Sequence, residues 1–154
     1  MTRHTESRDL PYSAEQMYAL VADVESYPEF LPWTTGARVR ERRDVEGGEE
    51  MLADLVVSFK VFRERYTSRV VLTLPEEGGI ARVDVAAIDG PFDKLETNYT
   101  FTPRDDGGCA MGLDVDFQFR SKLMQRAAGM AFELALKRVT RAFEERAAQI
   151  YGAA

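Results

Sequence analysis

Nucleophilic catalysis needs an activated group with a base beside it, and this chain offers few candidates: one histidine, His4, and one cysteine, Cys109. His4 stands in a polar run, Thr2 to Asp9, that reads as an exposed edge strand. Cys109 follows Gly107-Gly108 and opens an alternating apolar segment, so it reads as a buried thiol with nothing nearby to lower its pKa. No HExxH, CxxC pair or GxGxxG occurs, and so few His and Cys do not make a metal site. The paired carboxylates Asp105-Asp106 fall in a turn, and Asp114 and Asp116 on the solvent side of a strand. Both pairs read as solvated charges rather than as a positioned acid and base. These residues predict no enzyme, no catalytic cofactor and no metal.

The totals narrow the class further. Hydrophobic residues make up 45% of the 154, enough to fill a core and too many for a disordered chain. A net charge of −6 speaks against a generic nucleic-acid binder, though not against a local basic patch. A single cysteine permits no internal disulfide, which fits a reducing compartment. The start, MTRHTESRDL, has no apolar run of the kind a signal peptide needs, and no stretch is long and apolar enough to span a bilayer. The expectation is one soluble, cytoplasmic domain covering residues 1–154.

The elements that must position any site begin with the last one. Ser121 to Tyr151 reads as one helix, capped by Ser121, stopped by Gly152 and uninterrupted by proline. At 1.5 Å per residue it spans roughly 45 Å. One apolar stripe runs along it through Met124, Ala128, Phe132, Leu136, Val139, Phe143, Ala147 and Ile150. Its first half carries a second set, Leu123, Ala127, Met130, Ala131 and Leu134, which continues into Arg138, Arg141 and Glu145. The second half therefore needs one apolar partner and the first half two. Upstream, Ser13 with Gln16 has the form of a capping box before a short helix bearing Met17, Leu20, Val21 and Val24. Tyr27-Pro28-Glu29-Phe30-Leu31-Pro32-Trp33 then sets four large apolar residues between and beside two prolines, a loop or single turn with unusual aromatic surface.

From Thr34 to Phe119 the period changes to two. Six alternating runs are separated by turns at Gly47-Gly48, Pro75 to Gly79, Asp89-Gly90-Pro91 and Pro103 to Gly108, so neighbours should pair antiparallel, one face apolar and one solvated. The apolar face has one long element to cover it, the C-terminal helix, around which a twisted sheet would curl. Small residues in both partners, among them Ala53, Ala81, Ala87, Ala128 and Ala131, suit an internal cavity and close helix–sheet contact equally. Tyr66, Ser68, Thr97 and Tyr99 share the inward face with aliphatic residues, and buried hydroxyls need partners: each other, water or a guest. Arg38, Arg40, Arg42, Arg63, Arg65 and Arg69 fall on outward positions among Glu41, Asp54 and Glu64. That is either an ordinary solvated face or a patch for lipid headgroups or ribosomal RNA.

The order strand, two short helices, six strands, long helix resembles the helix-grip fold of the START-like (polyketide cyclase/dehydrase) superfamily. Within it the chain resembles the coenzyme Q-binding protein family, in Val24 to Trp33 (V-E-S-Y-P-E-F-L-P-W), in Gly90-Pro91-Phe92 with Leu95, and in Phe117 to Leu123 (F-Q-F-R-S-K-L). It departs in having Thr34 where many relatives have cysteine and Tyr99 where they have tryptophan, both changes of cavity lining. The resemblance implies an α+β fold, a curved six- to seven-stranded antiparallel sheet wrapped around the C-terminal helix. It implies an apolar cavity holding ubiquinone or a related polyprenyl quinone, in support of respiration or quinone biosynthesis. The cavity mouth would be rimmed by Phe30, Leu31, Trp33, Leu123, Met130 and Leu134, with Tyr27 and Leu95 beside it and Tyr66, Thr97 and Tyr99 as polar anchors. Flexible Met130 suits a variable apolar guest. Such a rim either closes the core by packing on itself or serves as an entrance for an apolar tail, in which case transient contact with the membrane surface, at the periphery of the inner membrane, is expected. The family also includes toxins that block ribosomal subunit association, so the ribosome is the alternative partner.

Overall fold

The computed structural model describes residues 2–59, 62–75 and 79–152, without the side chains of 2, 59, 62 and 128–133. Strand β1 (Thr2–Leu10) leads into helix α1 (Ala14–Ala22) and a 3-10 turn (Val24–Glu29). Six strands follow: β2 (Thr34–Val45), β3 (Gly48–Phe59), β4 (Phe62–Thr73), β5 (Ala81–Asp89), β6 (Phe92–Pro103) and β7 (Cys109–Phe119). Helix α2 (Lys122–Tyr151) ends the chain. The strands form one antiparallel sheet in the order β1-β7-β6-β5-β4-β3-β2, so β1 is indeed an edge strand. This is the helix-grip architecture; of the two short helices expected, the second is the 3-10 turn, with Pro28 inside it.

Local signals explain the element ends. The Gln16 N–H donates to Ser13 Oγ (3.1 Å) and the Ser13 N–H to Gln16 Oε1 (2.9 Å), closing the capping box of α1. Ser121 Oγ accepts from the Met124 N–H at the start of α2. Part of the expected turn over Pro75 to Gly79 lies outside the described residues, as does Val61.

Two expectations need correction. A bulge between Val39 and Glu41 shifts the phase of β2. Arg42 therefore sits opposite Met51, on the face away from Arg38 and Arg40, where it pairs with Glu49 at 2.8 Å. His4 is half-buried rather than exposed. It stands opposite Val115, and the next positions on its face meet polar groups of α2: Arg8 bonds Glu144 (3.2 Å) and the Thr140 hydroxyl reaches Glu6 (3.4 Å).

The core lies between the sheet and the second half of α2. Phe143 and Ala147 are fully buried and Leu136 nearly so. The stripe does not bury its whole length: Ile150 is 52% exposed, because the helix end has passed the sheet and lies over α1, where the Tyr151 hydroxyl donates to the Gln16 carbonyl (2.9 Å).

Candidate functional site

The inward positions of the central strands carry three hydroxyls, those of Ser68, Tyr66 and Tyr99, among apolar side chains. Ser68 of β4 is fully buried, opposite Ala53 of β3 and Ala87 of β5, whose side chains offer nothing to bond, and among the described residues Ser68 Oγ has no hydrogen-bond partner. A buried hydroxyl in that condition is costly. Tyr66, two residues earlier on the same face, keeps part of its ring accessible, yet burial of its hydroxyl pushes its pKa up to about 12. Tyr99 of β6 is buried, and burial together with nearby Tyr66 pushes its hydroxyl far above the ordinary tyrosine value. Among the described residues, no hydrogen bond joins the Tyr66 or Tyr99 hydroxyl to the protein. Thr97, opposite Val85, and Leu95, opposite Phe117, are half-buried along β6.

Gly90 controls where Tyr66 sits. Its φ is +133°, and a Cβ there would come within 2.5 Å of Tyr66 Cβ and 3.1 Å of Tyr66 Cα. Only glycine permits so close an approach of the β5–β6 connection to β4. The rings around Tyr66 form a chain: Tyr66 to Phe92 (5.3 Å between centroids), Phe92 to Phe119 (4.6 Å), Phe119 to Phe117 (5.9 Å). Reading strands one at a time missed this cluster, although Phe92 and Phe117 to Phe119 lay in plain view in the sequence.

A second aromatic group gathers the Tyr27–Trp33 segment. Phe143 of α2 is its centre, with the rings of Phe30, Tyr27 and Tyr99 at 5.4, 5.7 and 5.9 Å, all edge-on. Tyr27 is buried, and its hydroxyl donates a short hydrogen bond to the Val21 carbonyl. Burial raises its pKa well above the ordinary value, and the bond to Val21 uses the one donor this phenol has. The N–H groups of Phe30 and Leu31 both bond the Tyr27 carbonyl, tightening the turn. Trp33 then adopts φ +63°, a left-handed conformation uncommon for a large side chain, and its carbonyl accepts from the Ser58 N–H at 2.8 Å. The Arg138 guanidinium lies 5.9 Å from the Trp33 ring, and that of Arg146 lies 5.1 Å from Phe30 while pairing with Glu29 (3.2 Å). Neither arginine contact was visible in the sequence, since nothing local pairs residues so far apart.

Tyr27, Phe30 and Tyr99 thus come together around Phe143, Tyr66 stands beside Phe92, and Leu31 packs on the same core. The first half of α2 is different. Leu123 is 73% and Leu134 57% exposed, and the Met130 side chain lies outside the described residues. Leu134 is one turn before Arg138, the residue over Trp33, whereas Leu123 is three turns farther away.

On the other face of the sheet the arginines are largely neutralised. Asp54, buried to 7% exposure, accepts from the Thr67 hydroxyl (2.6 Å) and Arg65 (3.2 Å), with Arg40 at 3.6 Å. The Thr67 hydrogen bond holds its carboxyl below the usual carboxylate range. Arg43 and Arg69 share Glu50 (2.8 and 3.7 Å). An open groove of about 570 Å³ runs past Arg38, Arg40, Asp54, Arg65 and Gly90. Cys109 is buried, its thiol pushed up to about 11. Asp114 and Asp116 are paired with Arg3 (2.7 Å) and Lys94 (2.9 Å) rather than simply solvated. Among the described residues no group of three or more His, Cys, Asp or Glu is placed to hold a metal ion.

Known proteins share this fold. An 18 kDa protein of Caulobacter crescentus superposes with a TM-score of 0.79 at 31% identity, over 99% of this chain and 100% of that one. An aromatase/cyclase of Streptomyces shares the fold alone, at 17% identity, a TM-score of 0.68 and 95% and 90% coverage. In sequence the chain is 38% identical to the ribosome association toxin RatA of Escherichia coli, over 94% of this chain and 85% of that protein. It is 35% identical to the mitochondrial coenzyme Q-binding protein homolog B of Xenopus laevis, over 97% of this chain and 59% of that one. The model of the family described as polyketide cyclase/dehydrase and lipid transport matches residues 10–144, and the chain belongs to that START-like family.

Proposed function

We propose that the chain binds ubiquinone or a related polyprenyl quinone between the sheet and α2 and acts as a carrier, chaperone or sensor rather than as an enzyme. The observation that carries this reading is Ser68 Oγ, fully buried without a partner among the described residues, on the inward sheet face that also bears Tyr66 and Tyr99. A quinone carbonyl is an acceptor that such donors would satisfy, and apolar walls with few polar anchors suit an isoprenoid. Phe30, Leu31, Trp33, Leu95, Thr97, Met130 and Leu134 are the proposed lining and rim, with Leu123 at the outer limit. Tyr27 supports this wall from behind, its hydroxyl being occupied. Against catalysis stand the buried thiol of Cys109, which burial keeps protonated, and the ion pairs that occupy Asp114 and Asp116. The proposed place of action is the cytoplasm; no described helix is long and apolar enough to cross a membrane.

The test is to purify the protein from its native host, extract it with organic solvent and analyse the extract by mass spectrometry. A stoichiometric polyprenyl quinone is the expected result. An empty extract, together with no quenching of Trp33 fluorescence on adding ubiquinone, would overturn the reading.

A second reading is favoured by the ribosome association toxins among the relatives. In it the groove beside Arg38, Arg40 and Arg65 meets ribosomal RNA. The expected result is that Arg38→Glu with Arg40→Glu abolishes an inhibition of subunit joining seen in sucrose gradients. Subunit joining that the unaltered protein leaves untouched at low salt would eliminate it.

A further inference from the structure

We propose that the first half of α2 is a docking surface for an anionic lipid bilayer. The inference deepens the quinone reading, because a polyprenyl quinone resides in bilayers, and it stands on three observations of its own. Leu123 and Leu134 expose 73% and 57% of their surface, and Ala127, between them, is exposed as well. Their spacings of four and seven put all three on one side of the helix. Charge supplies the second: from Phe117 to Phe132 the sequence holds Arg120, Lys122 and Arg126 and no Asp or Glu, in a chain whose net charge is −6. Lys122 and Arg126 are exposed beside Leu123, and the first turn of α2 carries no acid; Arg120 has one acidic neighbour, Asp93 at 3.7 Å. Position supplies the third. The Arg120 N–H donates to the Pro91 carbonyl (2.9 Å) and Phe119 stands opposite Phe92, so this basic and apolar surface begins at the Gly90–Phe92 end of the sheet, beside Tyr66.

Exposed leucines among cations are the composition of an interfacial helix, in which the apolar side enters the acyl boundary and the cations meet acidic headgroups. RNA would use the cations but gains nothing from Leu123 and Leu134. A second copy of the chain, packed by a two-fold axis passing beside Leu123, would bring Lys122 and Arg126 against their own kind.

The test is co-sedimentation of the whole protein at low salt with quinone-free vesicles, of phosphatidylcholine alone and of phosphatidylcholine mixed with phosphatidylglycerol. Binding to the mixed vesicles alone, weakened by salt, is expected. Lys122→Glu with Arg126→Glu should weaken it about tenfold or more, and Leu123→Glu should weaken it too. The double charge reversal should leave Trp33 quenching by a short-chain, water-soluble quinone unchanged. Equal sedimentation of the double variant and the unaltered protein overturns the proposal. So does retention on a ribosomal RNA fragment without vesicle binding, or a dimer in analytical ultracentrifugation that Leu123→Glu dissociates. Because the vesicles carry no quinone, failure here leaves the cavity reading standing, and failure of quinone quenching leaves the docking result standing.

Discussion

Replacing Ser68 by alanine should move stability and affinity in opposite directions. The side chain is fully buried, and the residues across from it on both neighbouring strands, Ala53 and Ala87, offer its hydroxyl nothing to bond. Leaving a buried hydroxyl unsatisfied costs about 1–3 kcal/mol. Alanine keeps the Cβ and deletes only the oxygen, so the ligand-free protein should gain about 1 kcal/mol, which for a chain of this size raises Tm by roughly 2–4 °C. In the quinone complex the same oxygen would make a hydrogen bond with a net value of about 1 kcal/mol, so its loss should weaken Kd by about fivefold. Thermal unfolding followed by circular dichroism reads the first effect, and titration of Trp33 fluorescence with a short-chain quinone reads the second. A lower Tm for ligand-free Ser68→Ala would show that the hydroxyl is already satisfied in the empty protein. An unchanged Kd would show that it does not face the ligand. Either result refutes the reasoning.

Three further expectations follow from the packing and the charges. Gly90→Ala forces a Cβ to within 2.5 Å of Tyr66 Cβ at a φ of +133°, so it should cost about 2 kcal/mol or more in denaturant unfolding and weaken quinone quenching as Tyr66 shifts; wild-type behaviour in both would refute the close approach. Asp54 has a depressed folded-state pKa, set first by the Thr67 hydroxyl. Its stabilising contribution is complete above the unfolded value near ~4 and is lost as pH falls through the folded value, so Asp54→Asn should lower Tm at neutral pH and flatten the acid limb of the Tm–pH curve. An acid limb as steep as that of the unaltered protein would contradict this. The Cys109 thiol, pushed up to about 11 by burial, should react with a disulfide reagent at mildly alkaline pH only after unfolding, and a native-state rate equal to that of a free thiol would place it elsewhere.

The strands are legible because each residue reports its own face: Met51, Ala53 and Leu55 alternate with polar neighbours, and the turns at Gly47 and Gly90 mark where the chain reverses. The caps at Ser13 and Ser121 were legible for the same reason, being interactions over three residues. The alternation puts Arg42 on the wrong face because a bulge inserts one residue without altering composition, and nothing in R-V-R-E-R-R marks where the phase breaks. His4 is half-buried in a strand whose polarity predicts exposure, because a polar strand can also face a polar patch of a helix, and that patch, Thr140 and Glu144, lies more than a hundred residues away. The same distance hid Arg138 over Trp33 and the gathering of Tyr27, Phe30 and Tyr99 on Phe143. The hydroxyls of Tyr66, Ser68 and Tyr99 were nameable as inward groups, but which of them lacks a partner depends on what stands across the sheet. For Ser68 that is two alanines.

Helix α2 has two ends with unequal hold on the rest of the chain. Past Thr140, whose buried hydroxyl bonds back to the Lys137 carbonyl at 3.0 Å, the helix is fixed by Phe143 and Ala147; before Leu136 it presents leucines to solvent. Amide protons along it should therefore exchange on two clocks, those near Phe143 only with global unfolding and those near Leu123 through brief local melting. A helix held this way can loosen at one end while the seven strands of the sheet stay paired.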